Sequence, residues 1–168
     1  LQREIFGNGF RLSHSGKMVS PGGAVESGLI NNKEELTSVL KKLSLGHNTR
    51  FIRAILPEEK AYLFTTSIDR VPIESLRDAV AFIIEENAPV ALSESIFDFE
   101  IIDEDDHSGK IKLAVSVLPR SLVSSYIEIF ESVGITPISF DLESQAIARA
   151  VIHRGDKRPH LIVNLSSK

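Results

Sequence analysis

The order of hydrophobic patterns in this chain specifies an α/β fold in two lobes. Apolar residues at helical spacing alternate along the sequence with extended runs of period two. Some of those runs follow one another in hairpin order and others stand singly between helices, which is the signature of mixed sheets. Clusters of glycine, asparagine and proline mark the boundaries between elements.

Gly7-Asn8-Gly9 is a turn signal between residues 1–6 and 10–14, which predicts a hairpin. Ser15-Gly16 turns the chain again toward Lys17-Met18-Val19, and residues 21–30 are rich enough in breakers to be a loop. Asn32 with Glu35 three residues on has the form of a capping box. The helix it opens carries the stripe Leu36, Val39, Leu40 and Leu43. Lys41 and Lys42 sit at the negative end of its dipole, and Gly46 is its stop. Residues 50–56 are the next strand, closed by Pro57.

A second unit begins near Glu58. Residues 62–68 form a strand, with Thr65 and Thr66 adding β-propensity. Leu76, Ala79, Val80, Ile83 and Ile84 mark an amphipathic helix that ends at Asn87-Ala88-Pro89. Phe97, Phe99 and Ile101 then alternate with Asp98 and Glu100 in a half-buried strand. Ile111, Leu113, Val115 and Val117 supply its hairpin partner. Pro119 precedes a helix carrying Leu122, Val123, Tyr126, Ile127 and Phe130, with Gly134 as its stop. Ile138-Ser139-Phe140 returns to a strand, Asp141-Leu142-Glu143-Ser144 is an acidic turn, and a small-residue helix covers 142–151. Residues 161–167 are a last β-rich run ending in serines. The expected order is β-β-α-β, then an inserted β-α-β-β-α, then β-α-β.

Composition narrows the possible functions. A chain of 168 residues buries roughly 70% of its unfolded surface, enough for one domain or two small ones. A net charge of -4 offers no basic surface to a phosphate backbone, so nucleic acid is excluded as a partner. Without cysteine there is neither a disulfide framework nor a thiolate metal site, which is compatible with the cytoplasm. No apolar run reaches the roughly 20 residues that span a bilayer, so direct membrane insertion is not expected. The chain does not begin with methionine, and residues 1–6 read as a strand entered partway. It is therefore expected to be a fragment lacking sequence at both ends.

Other chemistry finds little support. The five histidines show no His-Glu-x-x-His spacing, and the acidic run at 103–107 lacks the EF-hand register, so no metal is expected. A charge run at a hairpin tip is a solvated loop. No Gly-x-Ser-x-Gly elbow is present for hydrolase chemistry.

From Asp141-Leu142-Glu143-Ser144 through the following helix to Leu161-Ile162-Val163-Asn164-Leu165-Ser166-Ser167, the chain resembles the middle of actin-like ATPases. Three ordered segments are similar, within that superfamily, to the PilM family of type IV pilus assembly proteins. The first is Gly23-Ala24-Val25-Glu26-Ser27-Gly28-Leu29-Ile30 leading straight into a helix. The second is Val71-Pro72, a helix, Pro89 and Phe97-Asp98-Phe99. The third runs from Val117-Leu118-Pro119-Arg120 through Gly134-Ile135-Thr136-Pro137 to Asp141-Leu142-Glu143-Ser144.

The resemblance implies a two-lobe actin-like (RNase H-like) fragment. Residues 1–57 and 136–168 would be a partial core subdomain, and 58–135 an inserted, SHS2-like β-α-β-β-α subdomain. It implies ATP and Mg²⁺ in the full-length parent and none for the fragment, because the first phosphate loop would precede Leu1 and the adenosine half would follow Lys168. Asn164, Ser166 and Ser167 match the second phosphate loop. Nucleotide-hydrolysing relatives commonly have Asp-x-Gly there. Asn164 removes the charge that serves Mg²⁺, and Ser166 puts a Cβ where backbone approaches phosphate, so the parent is at most a poor ATPase. Those residues are either a phosphate nest or a polar strand end. Glu143 matches the acid that orients attacking water, and is otherwise an early-turn acid favoured by the helix dipole.

The partner implied is the N-terminal peptide of a PilN-like inner-membrane protein, gripped in a cleft between the lobes, with Pro57, Phe140 and Asp141 as candidate contacts. The function implied is a cytoplasmic scaffold at the inner face of the membrane, with ATP as a conformational ligand. Two alternatives stand beside it: an FtsA-like division protein tethering filaments to membrane, and a true ATPase or phosphotransferase of the superfamily. Truncation would expose sheet edge and favour self-association.

Overall fold

The computed structural model describes residues 2–3, 10–11, 15–20, 22–44, 50–105, 108–153, 155–156 and 158–165. The first elements are β1 (Gln2–Arg3) and β2 (Phe10–Arg11), which pair antiparallel as a hairpin does. The Gly7-Asn8-Gly9 turn lies outside the described residues, as does Gly46.

The segment expected to be a loop contains a second hairpin, β3 (Val25–Glu26) with β4 (Leu29–Ile30). Ser27 and Gly28 take φ values of 46° and 77°, the two positive angles of a type I′ turn. A Cβ on Gly28 would stand 3.1 Å from Pro57 Cβ, so glycine answers both the backbone angle and the close approach.

Helix α1 (Lys33–Ser44) opens as expected, with the Glu35 N–H donating to Asn32 Oδ1 at 3.1 Å. The reciprocal half of the box is not used, because the Asn32 N–H goes to the Ala24 carbonyl instead. Strand β5 (Phe51–Leu56) follows, and Pro57 starts a short 3₁₀ turn over Glu58–Lys60.

The next elements are β6 (Tyr62–Asp69), α2 (Ile73–Asn87), β7 (Ser95–Asp105) and β8 (Lys110–Pro119). The three strands form an antiparallel sheet in the order β6-β8-β7. Leu76, Val80 and Ile84 recur every fourth residue, so one α2 stripe is buried on Ile111, Leu113, Val115 and Val117 of β8. Phe64, Ile68, Phe97 and Phe99 flank that core from the outer strands.

Burial along β8 alternates at first and then becomes continuous from Val115 to Leu118, where the strand is covered on both faces. The second cover is α3 (Arg120–Ser132), whose Leu122, Val123 and Tyr126 pack with Leu118, with Leu56 of β5 and with Leu142. Leu142 ends strand β9 (Thr136–Leu142), which pairs parallel with β5. Parallel neighbours need a crossover, and α3 is its helix. Its 13 residues span about 20 Å, and β5's six residues about the same. Gly134, at φ 75°, closes α3 in a Schellman motif: its N–H donates to Glu131 O and that of Ile135 to Phe130 O.

Helix α4 (Glu143–Val151) comes last, giving four α-helices among the described residues. The β-rich run expected over 161–167 is not a strand over its described part. Residues 161–165 have no ladder partner among the described residues, and a strand exists only as a member of a pair.

Candidate functional site

Two cavities lie on either side of α4. The smaller, about 440 Å³, opens at its N-terminus between the 3₁₀ turn after β5 and the extended segment 160–164. Leu142, at the N-cap position, offers no side-chain acceptor, so the first helical amides need another partner. Glu58 supplies it, accepting from the Ser144 N–H at 2.9 Å and from the Ser144 hydroxyl. Glu143 accepts from Asn164 Nδ2 at 3.0 Å. The fold thus joins two of the residues assigned to nucleotide chemistry, although they stand far apart in sequence. Ser166 and Ser167 lie outside the described residues.

Segment 160–164 is positioned by a tight ionic turn. The Asp156 carboxylate accepts from the Arg158 backbone N–H, from its guanidinium at 2.7 Å, and from His160 Nε2 at 3.3 Å. Hydrogen bonds from Arg158 and then His160 hold the Asp156 carboxyl at about 2, well below its ordinary value.

The electrostatics of this cavity do not suit phosphate. Among the described residues its lining carries two carboxylates, Glu58 and Glu143, and neither Lys nor Arg. Each carboxylate is already engaged, and no three potential metal-ligating side chains cluster anywhere among the described residues. The described residues therefore do not fit ATP with Mg²⁺.

The larger cavity, about 550 Å³, is a cleft between the three-stranded sheet and the β9–α4 side. Its floor is the sheet face opposite α2, where Ile96, Asp98 and Glu100 of β7 stand against Leu118, Ser116 and Ala114 of β8. Its far wall takes four consecutive residues of β9, Ser139 to Leu142, so backbone as well as side chains borders the space. Gln145 of α4 spans it, donating from Nε2 to Ser116 Oγ at 3.2 Å. Ser139 Oγ is buried there with no hydrogen-bond partner among the described residues.

Of the three residues expected to contact a peptide, Phe140 and Asp141 line this cleft. Phe140 stacks obliquely on Phe130 at 6.4 Å, and Asp141 pairs with Arg149 at 2.7 Å. Pro57 lies outside it, packed beneath Gly28. The reading of the sequence missed Arg53, Arg77, Ser139 and Gln145. The Arg77 guanidinium stands 4.4 Å over the Phe97 ring, and Arg53 is the register partner of Ser139. No spacing in the chain announces those neighbours, since each belongs to a different element.

A parallel strand pair joined by its crossover helix, with an antiparallel sheet and helix inserted ahead of that helix, defines a mixed α/β fold. Among solved structures the fold is similar to that of the PilM-PilN type IV pilus biogenesis complex. The TM-score is 0.70 at 18% identity, over 77% of this chain and 40% of that one. The chain therefore spans about two fifths of the length of that relative. The cytoplasmic domain of EpsL, an inner-membrane component of the type II secretion system of Vibrio cholerae, is a more distant likeness. Its TM-score is 0.48 at 11% identity, over 64% of this chain and 42% of that one. No protein-family model matches the chain, and no curated protein matches it by sequence. Among the described residues no helix is long and apolar enough to cross a membrane.

Proposed function

We propose that this chain is part of a PilM-like scaffold of type IV pilus or related secretion assembly, holding an extended peptide tail of a PilN-like inner-membrane protein in the larger cleft. One observation carries the reading: the cleft is bordered by consecutive residues of two strands, 96–100 and 139–142, so an extended segment has backbone to meet as well as side chains. The unpartnered hydroxyl of Ser139 is a donor awaiting an acceptor. In this reading residues 1–57 and 136–168 form one lobe, 58–135 form the inserted SHS2-like lobe, and the protein works at the cytoplasmic face of the membrane. Phe51, Ile55 and Ile138 are more than half exposed on β5 and β9, which favours self-association of the chain as it stands.

The test is a titration of labelled PilN N-terminal peptide followed by sedimentation velocity, which reads bound peptide and self-association together. Saturable binding that is lost in Ala114→Trp, where an indole fills the cleft floor, is expected. Absence of binding, or binding indifferent to that substitution, overturns the reading of the cleft. A strict monomer at rising concentration overturns self-association.

A further inference from the structure

Strand β7 ends its sheet, and among the described residues no other backbone group bonds to its outer edge. Such an edge invites an added strand unless it is protected. Its protection here is a side chain, because the Phe99 N–H donates to the Asp98 carboxylate at 3.0 Å. Glu100 follows two residues on, on the same face. The register sets Asp98 beside Ser116 and Glu100 beside Ala114, so neither acid has a basic partner across the ladder. Both are exposed. Among the described residues the cleft also holds three arginines, none of them opposite the acids in the ladder: Arg149 is neutralised by Asp141, Arg77 stands over the Phe97 ring, and Arg53 lies on the far wall beside Ser139.

The two faces of β7 differ. Phe97 and Phe99 turn toward α2 and are half-buried in its core, while Asp98 and Glu100 form an acidic strip on the cleft floor. An incoming strand would meet this alternation residue by residue, since side chains on neighbouring strands pair face by face.

We infer that the cleft selects an extended segment that adds to the outer edge of β7 and carries basic side chains at alternate positions, opposite Asp98 and Glu100, with apolar residues between them beside Phe97 and Phe99. This rests on the peptide reading of the cleft. A carbonyl of the added strand takes the Phe99 N–H, and the Asp98 carboxylate it releases accepts from a lysine or arginine. A cytoplasmic tail next to a membrane span carries an excess of such residues, so the chemistry suits a partner held at that surface.

The experiment measures fluorescence anisotropy of three labelled ten-residue peptides on the whole chain: alternating valine and lysine, alternating valine and glutamate, and the lysine peptide with its charges in one block. Wild type is expected to bind the alternating basic peptide about tenfold more tightly than either other peptide. Asp98→Lys with Glu100→Lys is expected to reverse the order of the two alternating peptides, and Asp98→Asn with Glu100→Gln to abolish the preference. Both acids are exposed, and circular dichroism checks that the variants fold. Equal binding of the blocked and alternating lysine peptides, or a preference unmoved by charge reversal, overturns the inference. If Ala114→Trp still abolishes binding, the cleft reading stands while the charge register falls. Binding of no peptide overturns both.

Discussion

Tyr126 is where a single atom ties distant parts of the fold together. Its hydroxyl donates to the Gly28 carbonyl at 3.1 Å, fastening the β3–β4 hairpin to α3 across 98 positions of sequence. Burial, and then the negative charge of Glu59, push the phenol above its ordinary value. A group whose folded value is raised contributes stability that is complete below the unfolded value, about 10, and is lost as pH climbs through the folded one. In an ultraviolet titration the step that disappears in Tyr126→Phe is expected to lie above the ordinary phenol value. That substitution leaves the buried Gly28 carbonyl without a donor and should cost about 1–2 kcal/mol. Loss of a step at the ordinary value in that variant would sink the assignment.

At the scale of elements, the helices and the longer strands could be read from the chain because their signals are local. The Leu76, Val80, Ile84 stripe, the capping Asn32 and the Gly134 stop each act within a turn or two, and each recurs in the structure. The β3–β4 hairpin escaped because strands of two residues carry no period. Its turn rests on Ser27, a non-glycine residue in the left-handed region. Residues 161–165 show the reverse error, since β-rich composition sets a preference while pairing needs a neighbour. The site was half legible. Asp98 and Glu100 stood out as the polar side of a strand, whereas the meeting of Gln145 with Ser116, or of Glu58 with Ser144, depends on how elements pack. Glu58 as a cap borrowed from outside the helix carries its own prediction. Glu58→Ala should cost about 1 kcal/mol, a melting shift of about 2–4 °C, with faster hydrogen exchange concentrated in the first turn of α4. Exchange unchanged at Ser144 would refute the cap.

The whole molecule is organised by one interruption: the chain leaves β5, builds a complete antiparallel sheet with its helix, and only then sends α3 back to lay down β9. The β7–β8 pairing closes between Asp105 and Lys110, whereas the β5–β9 pairing joins Phe51 to Thr136, about 85 positions apart. Loop closure of that length is unfavourable until something shortens the gap, and the inserted unit, once formed, does so. Folding is therefore expected to run from the middle of the chain outward. Pulsed hydrogen exchange should find β8 amides such as Leu113 and Val115 protected before those of β9, and simultaneous protection would contradict that order. On that order the cleft between the two sheets is the last feature to appear, so any ligand that needs both of its walls can engage only a molecule whose folding has already finished.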